Sequence, residues 1–314
     1  MFAARDKDVT LALLENLGLP YVNVGAPGKT RLEKLVQLPQ DLLRFYNVIR
    51  QFQPDVLVTS LSLHGTYGAR LAHVPIVSFS DSEERGVVDA ITLPLVSLRV
   101  IPKAYKKRLS GPQVSYRGNH ELAYLHPARF SPDAGIVDQL NIDRKRGYVV
   151  VRLVSWKAFH DTGLETTARA TWIRFVRGLS RYKDVVITSE ANVPQELERY
   201  AYSLPPEQLH HVLAFADCYV GEGATTASEA VCLGTPAVYI NPIRLGYIDE
   251  EERYGLLWQY DMLCDDNVGD VLNIACNRSL KSRLEGTWKK FIKASDDVSG
   301  VMVRILEKME KGLT

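Results

Sequence analysis

Short apolar runs alternate with amphipathic stretches along most of this chain, and that alternation constrains its fold more than any other feature. The runs at 21–24, 56–60 within PDVLVTS, 76–80 within VPIVSFS, and 97–101 have the length and continuity of buried strands. Between them, 8–17 and 32–51 carry helical periodicity. In the longer stretch Leu35, Leu38, Leu42, Phe45 and Ile49 recur at three- and four-residue steps, and Pro39 is expected to break or kink the helix. The rhythm pauses over 124–146, where Pro127, Pro132 and the charged run Asp143, Arg144, Lys145, Arg146 suit an exposed connection. It then resumes: strand 148–154, helix 167–182, strand 185–188, helix 208–215, strand 218–220, helix 225–233, strand 237–240. The tail 280–311 reads as two helices separated by the polar DDVSG turn. Strand–helix alternation of this kind implies mainly parallel sheets, so the chain is α/β.

Length and composition set bounds on that fold. At roughly 150 residues per domain, 314 residues suggest two domains, with the boundary in the 124–146 pause. Hydrophobic residues make up 46% and charged residues 24%, which excludes a largely disordered chain. A formal charge of +1 gives no whole-chain attraction to nucleic acid or to anionic membranes. Cys218, Cys232, Cys264 and Cys276 show neither C-x-x-C spacing nor histidines at zinc-finger spacing, so they read as reduced thiols rather than zinc ligands or disulfides. No apolar run reaches the ~18 residues of a membrane span, and the N-terminus lacks a signal-peptide pattern; a cytoplasmic protein is expected. Residues 1–4 followed by RDKD look like the end of a second strand entering its helix. A doubly wound half starts with a central strand whose loop lines the ligand crevice, so one further βα unit, about 25 to 30 residues, is expected upstream.

The most informative segment is 216–238, ADCYVGEGATTASEAVCLGTPAV. An apolar strand ends in Gly221, Glu222 and Gly223, and ATTASEA starts a helix. The backbone N–H groups of Ala224, Thr225 and Thr226 would then point beyond the carboxyl end of the strand, where they favour an anion. Thr225 and Thr226 add hydroxyl donors. Glu229, three residues past Thr226, offers a carboxylate that can accept from ribose hydroxyls while the amides hold a diphosphate. The same Thr-x-x-Glu spacing fits a capping box, in which Thr226 and Glu229 serve only the helix.

This run, GATTASEAVCLGTPAV, resembles the donor-binding element of GT-B glycosyltransferases, above all the N-acetylglucosaminyltransferase that completes the lipid-linked peptidoglycan precursor. The chain is also similar over nearly its whole length to an uncharacterised, mostly prokaryotic family of the same two-domain fold, through HELAYLHP, VRLVSWKAFHD and PPEQLHHVLAFAD. The resemblance implies two Rossmann-like domains with mainly parallel sheets facing a cleft. It makes 1–128 an acceptor-side domain, 146–285 a nucleotide-sugar-binding domain, and 286–314 helices that return toward the first. It gives Gly223 to Thr226 the diphosphate, Glu229 the ribose, and Gly234 and Pro236 the turn into the next strand, and Glu222 counts with the nucleotide-sugar-binding residues. That family usually begins with a strand and a loop holding Pro and His, which this sequence does not show at its start.

Further groups gain meaning from the same resemblance. SFSDSEERG, 78–86, places Asp81, Glu83 and Glu84 directly after a strand, where a carboxylate can act as general base or the loop can simply be solvated. GT-B relatives, including UDP-N-acetylglucosamine 2-epimerases, carry an acidic residue after this strand, which favours Asp81 and Glu83; Arg85 would pair with them or with a phosphate. The strand 148–154 leads to Ser155, Trp156, Lys157, His160 and Asp161, with Ser155 and Trp156 beneath the donor phosphates in a GT-B protein. The next strand ends in Ser189 and Glu190, also counted as donor-binding. His210 is expected near the nucleotide base; His211 points to another side of the same helix, so the two do not form a metal pair. His64 and Gly65 would touch the acceptor or merely turn the chain.

The function implied is transfer of a sugar from a nucleotide diphosphate sugar, with UDP-sugar favoured, to a hydroxyl of a sugar or lipid-linked acceptor. No metal and no cofactor are expected, since helix-terminus donors replace a divalent ion in GT-B enzymes. The alternatives are a sugar-nucleotide 2-epimerase and a non-catalytic nucleotide-sugar or partner-binding protein. A lipid-linked acceptor would place the protein at the inner membrane face.

Overall fold

Every strand pairing is parallel in the computed structural model, which describes the chain except residues 8–9, 29, 82, 84–85, 108–110, 141, 154–166, 190–191, 203 and 311–314. Contacts group the chain into two units, Met1–Tyr116 with Met302–Thr314, and Arg117–Val301. Segment 124–146, read from sequence as an exposed connection, groups with the second unit. No helix among the described residues is long and apolar enough to cross a membrane.

In the first unit, β1 (Phe2–Ala4), α1 (Thr10–Asn16) and β2 (Tyr21–Asn23) make a parallel two-stranded sheet. The long helix α2 (Arg31–Phe52) leads to β3 (Leu57–Thr59), α3 (Leu63–Leu71), β4 (Ile76–Phe79), α4 (Val87–Thr92), β5 (Leu98–Pro102) and β6 (Gln113–Tyr116). The second sheet runs β3-β4-β5-β6. Its inner strands, IVSF and LRVIP, are buried throughout, whereas β6 exposes three of its four residues. That exposure explains why no apolar run announces β6 in the sequence. The expected break at Pro39 is not there: α2 continues as one helix, with the proline on an exposed side. The helix buries Asp41, Phe45 and Ile49, four residues apart and therefore on one stripe. Ile49 packs with Leu61, Ala69, Ile76 and Val96 in a small core.

The second unit opens with two short helices, α5 (Leu122–Leu125) and α6 (Ala134–Val137), whose Leu122, Leu125 and Val137 are buried. Then follow β7 (Tyr148–Leu153), α7 (Arg169–Leu179), β8 (Asp184–Ser189), α8 (Leu209–Phe215), β9 (Cys218–Gly221), α9 (Ala224–Cys232) and β10 (Ala237–Ile240). The unit continues through α10 (Gly246–Arg253), β11 (Leu257–Tyr260), α11 (Val268–Cys276), α12 (Leu280–Ala294) and the start of α13 (Val298–Glu310). The sheet order is β11-β10-β9-β7-β8. The chain steps from β7 to β8 on one side and then crosses to β9 on the other, so the topological switch point lies between β7 and β9. Open parallel sheets bind ligands beyond the carboxyl ends of the strands at such a point. The sheet sits in a core built from Val149 and Val151 of β7, Trp172, Phe175, Val176 and Leu179 at helical spacing on α7, and Val220 and Val238 of its neighbours. All four cysteines are free thiols.

The segment before β7 is bound down by side chains. Arg117 donates to Asp296 at 2.7 Å, Arg129 holds Asp297 through two bonds of 2.6 Å, and Ser299 donates to the Ala123 carbonyl. The Arg129 bonds hold the Asp297 carboxyl down at about 2.

Candidate functional site

The switch point holds the G-E-G turn. Gly221 is required there by close backbone approach. Paired with Arg152 of β7, it would place an added Cβ 2.6 Å from both the Arg152 carbonyl and the Tyr219 hydroxyl. Gly223 is the N-cap of α9 and supplies no side-chain cap; the first helical bond runs from Ala227 N–H to the Gly223 carbonyl at 3.0 Å. The amides of Ala224, Thr225 and Thr226 precede that bond, at the positive end of the helix dipole. Thr225 is exposed and Ala224 half-buried, while Thr226 is buried. The far end of α9 is fully served: Thr235 N–H donates to Ala230, Gly234 N–H to Val231, and the Trp288 indole to Cys232 at 3.1 Å.

The capping-box reading of Thr226 and Glu229 does not hold. Helix α9 starts two residues before Thr226, and the Glu229 carboxylate is engaged by other elements. Its Oε1 accepts from the Tyr124 hydroxyl and from His210 Nε2, each at 2.9 Å, and Oε2 takes part in neither bond. Glu229 is 8% exposed. Burial and the Glu229 charge push the Tyr124 phenol far up, so it stays a donor. Tyr124 and His210 also lie ring against ring at 5.4 Å, with Phe130 edge-on to His210 at 6.2 Å.

One residue earlier on α9, Ser228 faces a different, fully buried network. Its hydroxyl lies 2.8 Å from Asn119 Nδ2, 2.8 Å from Glu251 Oε1 and 3.2 Å from Glu121 Oε2. Asn119 also contacts Glu251 directly. Burial pushes the Glu251 carboxyl up to about 8, against the two hydrogen bonds that favour its ionised form. Adjacent positions of α9 thus fasten one side to Tyr124 and His210 and the other to Asn119, Glu121 and α10.

The structure places the other sequence-derived residues as follows. Glu222 accepts from the Trp172 indole at 3.2 Å, and its carbonyl accepts from Asn241 at 3.3 Å. Ser189 is half-buried at the end of β8, in register with Leu153. Ser155, Trp156 and Glu190 lie outside the described residues, as do Glu84, Arg85, Lys157, His160 and Asp161. His211 accepts from the Asp133 amide at 2.9 Å, and its ring lies 4.9 Å from that of Phe130. In the first unit Asp81 is half-buried and Glu83 buried; Glu83 Oε1 accepts from the Lys106 amide at 3.0 Å, and its carbonyl from Lys107.

Sequence reasoning passed over Tyr124, Trp172, Asn241 and Arg152. Arg152 stands one residue before the end of β7, in register with Gly221, and an added Cβ on Gly223 would sit 3.2 Å from its Cδ and Nε. Its signal was a cation interrupting an apolar run, VVVRLV; Tyr124 lies in HELAYLHP. Among the described residues no three His, Cys, Asp or Glu side chains gather as a metal site.

Comparison with known proteins bears on the family and the fold. The profile of the family described as "Protein of unknown function (DUF354)" matches residues 1–311. None of the curated proteins compared with the chain matches it. Among solved structures, the chain is similar to the UDP-GlcNAc 2-epimerase of Methanocaldococcus jannaschii, at 14% identity and a TM-score of 0.61, covering 94% of this chain and 88% of that one. It is also similar to Acinetobacter baumannii MurG, at 12% identity and a TM-score of 0.57, covering 98% and 90%. MnaA of S. aureus, solved with UDP, gives 13% and 0.61 over 96% and 87%. At these identities the likeness shows the fold, which is GT-B-like.

Proposed function

The chain belongs to the DUF354 family, and from its GT-B-like fold and the turn geometry of its second unit we propose that it is a glycosyltransferase using a nucleotide diphosphate sugar, a UDP-sugar by preference. The observation that carries this reading is the uncapped start of α9 at the β7/β9 switch point, with the Glu229 carboxylate fixed beside it. Amides from Gly223 to Thr226 would hold the diphosphate, and Glu229 Oε2 would accept from the ribose. Arg152 supplies a cation at the same turn. In transfer, the acceptor hydroxyl oxygen bonds to the anomeric carbon, the bond from that carbon to the diphosphate oxygen breaks, and the nucleoside diphosphate leaves. The hydroxyl proton passes to a carboxylate, Asp81 or Glu83. The diphosphate leaves without a divalent ion, its charge met by amides and Arg152. The acceptor is a sugar or lipid-linked hydroxyl, and the enzyme works in the cytoplasm, at the membrane face when the acceptor is lipid-linked.

The test is a thermal-shift panel with UDP, GDP, ADP, CMP and their sugar conjugates. A ligand at 100 times its Kd adds about 2.7 kcal/mol of stability. A shift with one nucleotide class, lost in Glu229→Ala, supports the reading; no shift from a folded sample overturns it. Undiminished turnover in a chelator supports metal independence, and Asp81→Asn against Glu83→Gln identifies the base. A second reading, sugar-nucleotide 2-epimerase, is supported by the likeness to the M. jannaschii enzyme. Conversion of the donor without any acceptor would select it. Binding without turnover of either kind would select a non-catalytic binding protein.

A further inference from the structure

The buried stripe of α2 carries a charge in its middle, and that charge organises a cationic cluster in the first unit. Asp41 is 3% exposed, between positions where an amphipathic helix keeps apolar side chains. Three cationic or ionisable groups surround it. Arg5, directly after β1, donates from Nη2 to Asp41 Oδ2 at 2.6 Å and to the Ala26 carbonyl at 3.3 Å. Arg44, one turn along α2, donates to Oδ1 at 3.4 Å. His64, in the first turn of α3, brings Nε2 to 3.7 Å from Oδ2, its ring stacked on Phe45 at 5.9 Å. Arg5 and Ala26 follow β1 and β2, and His64 follows β3, so the cluster draws on segments that leave the carboxyl ends of strands from both sheets of this unit.

The charges of these four groups do not balance among the described residues. One carboxylate faces two guanidiniums, and burial with the Arg5 charge lowers the His64 imidazole below its ordinary value, so the four together carry a surplus of one positive charge. The donors do not balance either. Arg5 Nε is buried and has no hydrogen-bond partner among the described residues. A buried guanidinium N–H left without an acceptor is rare and calls for an explanation. Arg44 remains half-exposed, with its Nη1 against Gly25.

We propose that Arg5, Arg44 and His64, held by Asp41, form a binding site for a phosphoryl oxyanion. The class follows from the arrangement. Asp41 already fills the one carboxylate position, and the remaining donors come from three separate elements, which suits a multi-oxygen anion of charge near −2 better than a second planar carboxylate. The site lies in the first unit and stands independently of the nucleotide site on α9.

The experiment follows the His64 ring protons by NMR in the full chain, assigned with His64→Gln, during pH titrations in inorganic phosphate, acetate or chloride at matched ionic strength. Phosphate should raise the His64 midpoint by at least ~0.5 of a pH unit, and acetate should match chloride. Arg5→Met and Arg44→Met should each weaken the phosphate response about tenfold; where Arg5→Met fails to fold, the more exposed Arg44 carries the test. An unmoved midpoint in wild-type protein overturns the site, as does an equal effect of acetate or an unchanged response in the variants.

Discussion

Two helix starts in this molecule are built in opposite ways. Helix α2 caps itself: Thr30 Oγ1 accepts from the Glu33 amide at 3.1 Å, and the Glu33 carboxylate accepts from the Thr30 amide at 3.4 Å. Helix α9 has glycine at the same position and no side chain to serve its first amides. The Glu33 amide of α2 is served within its own first turn, whereas among the described residues no side chain caps the first amides of α9. A helix without its own cap has to be held some other way, and α9 is held from outside its first turn, by Asn119, Glu121 and Glu251 through Ser228 and by Tyr124 and His210 through Glu229. The groups that hold α9 thus act from its second turn onward and leave its first turn to the backbone alone.

Removing the outside hold should have the largest effect. In Ser228→Ala the hydroxyl shared by Asn119, Glu121 and Glu251 is lost, and buried polar groups are left short of partners. A loss of about 3 kcal/mol is expected, read as a lower urea midpoint at unchanged m. A loss no larger than that of a surface serine would show that α9 does not depend on this network.

Gly223→Asp attacks the comparison from the other side by giving α9 the cap that α2 has. The residue sits at φ −90° and ψ 114°, which any side chain adopts, and its nearest neighbour is the flexible Arg152 side chain. The unliganded protein should keep its Tm, since aspartate and glycine caps differ by only a few tenths of a kcal/mol (~0.3). Nucleotide stabilisation, about 2.7 kcal/mol at 100 Kd, should vanish, because the new carboxylate occupies the amides and Arg152. Retained stabilisation would mean that nucleotide binds elsewhere.

This difference was only half legible in the sequence. The turn itself could be read, because Gly-Glu-Gly after an apolar run and a small-residue helix start leave a local signature. The partners could not: Tyr124 lies 105 residues from Glu229, and Asn119 lies 132 from Glu251. Glu229 looked equally suited to a capping box, since spacing along the chain says nothing about a phenol arriving from another helix. Strands β6 and β11 were hidden for a related reason. Both are edge strands, with polar residues such as Gln113 and Gln259 that break the apolar run. The central strands β7, β9 and β10, buried on both faces, gave the clear rhythm.

Glu251 connects the hold on α9 to pH. Its carboxyl is pushed up to about 8 by burial, against an ordinary value of 4.5. Between those values the folded chain keeps a proton that the unfolded chain has released, so stability should fall as pH rises through that window, by at most about 1.4 kcal/mol per unit. Glu251→Gln cannot titrate and should flatten this dependence in urea melts taken across the window. An unchanged slope would place the titrating group elsewhere.

The smallest effect is expected at the self-capped helix. Thr30→Ala removes both halves of the capping box on an exposed turn and should cost about 1 kcal/mol. Amide exchange should quicken in the first turn of α2, while the first turn of α9 exchanges as before and nucleotide stabilisation is unaltered. The asymmetry has a physical origin: a cap made by neighbouring residues is lost with one side chain, whereas α9 draws its support from several other elements, Glu251 and His210 about 20 residues away and Asn119, Glu121 and Tyr124 more than a hundred, and loses nothing when α2 frays. Should Thr30→Ala also weaken nucleotide binding, the two helix starts would be coupled, and the contrast between a closed and an open helix end would have to give way to a shared stability of both units.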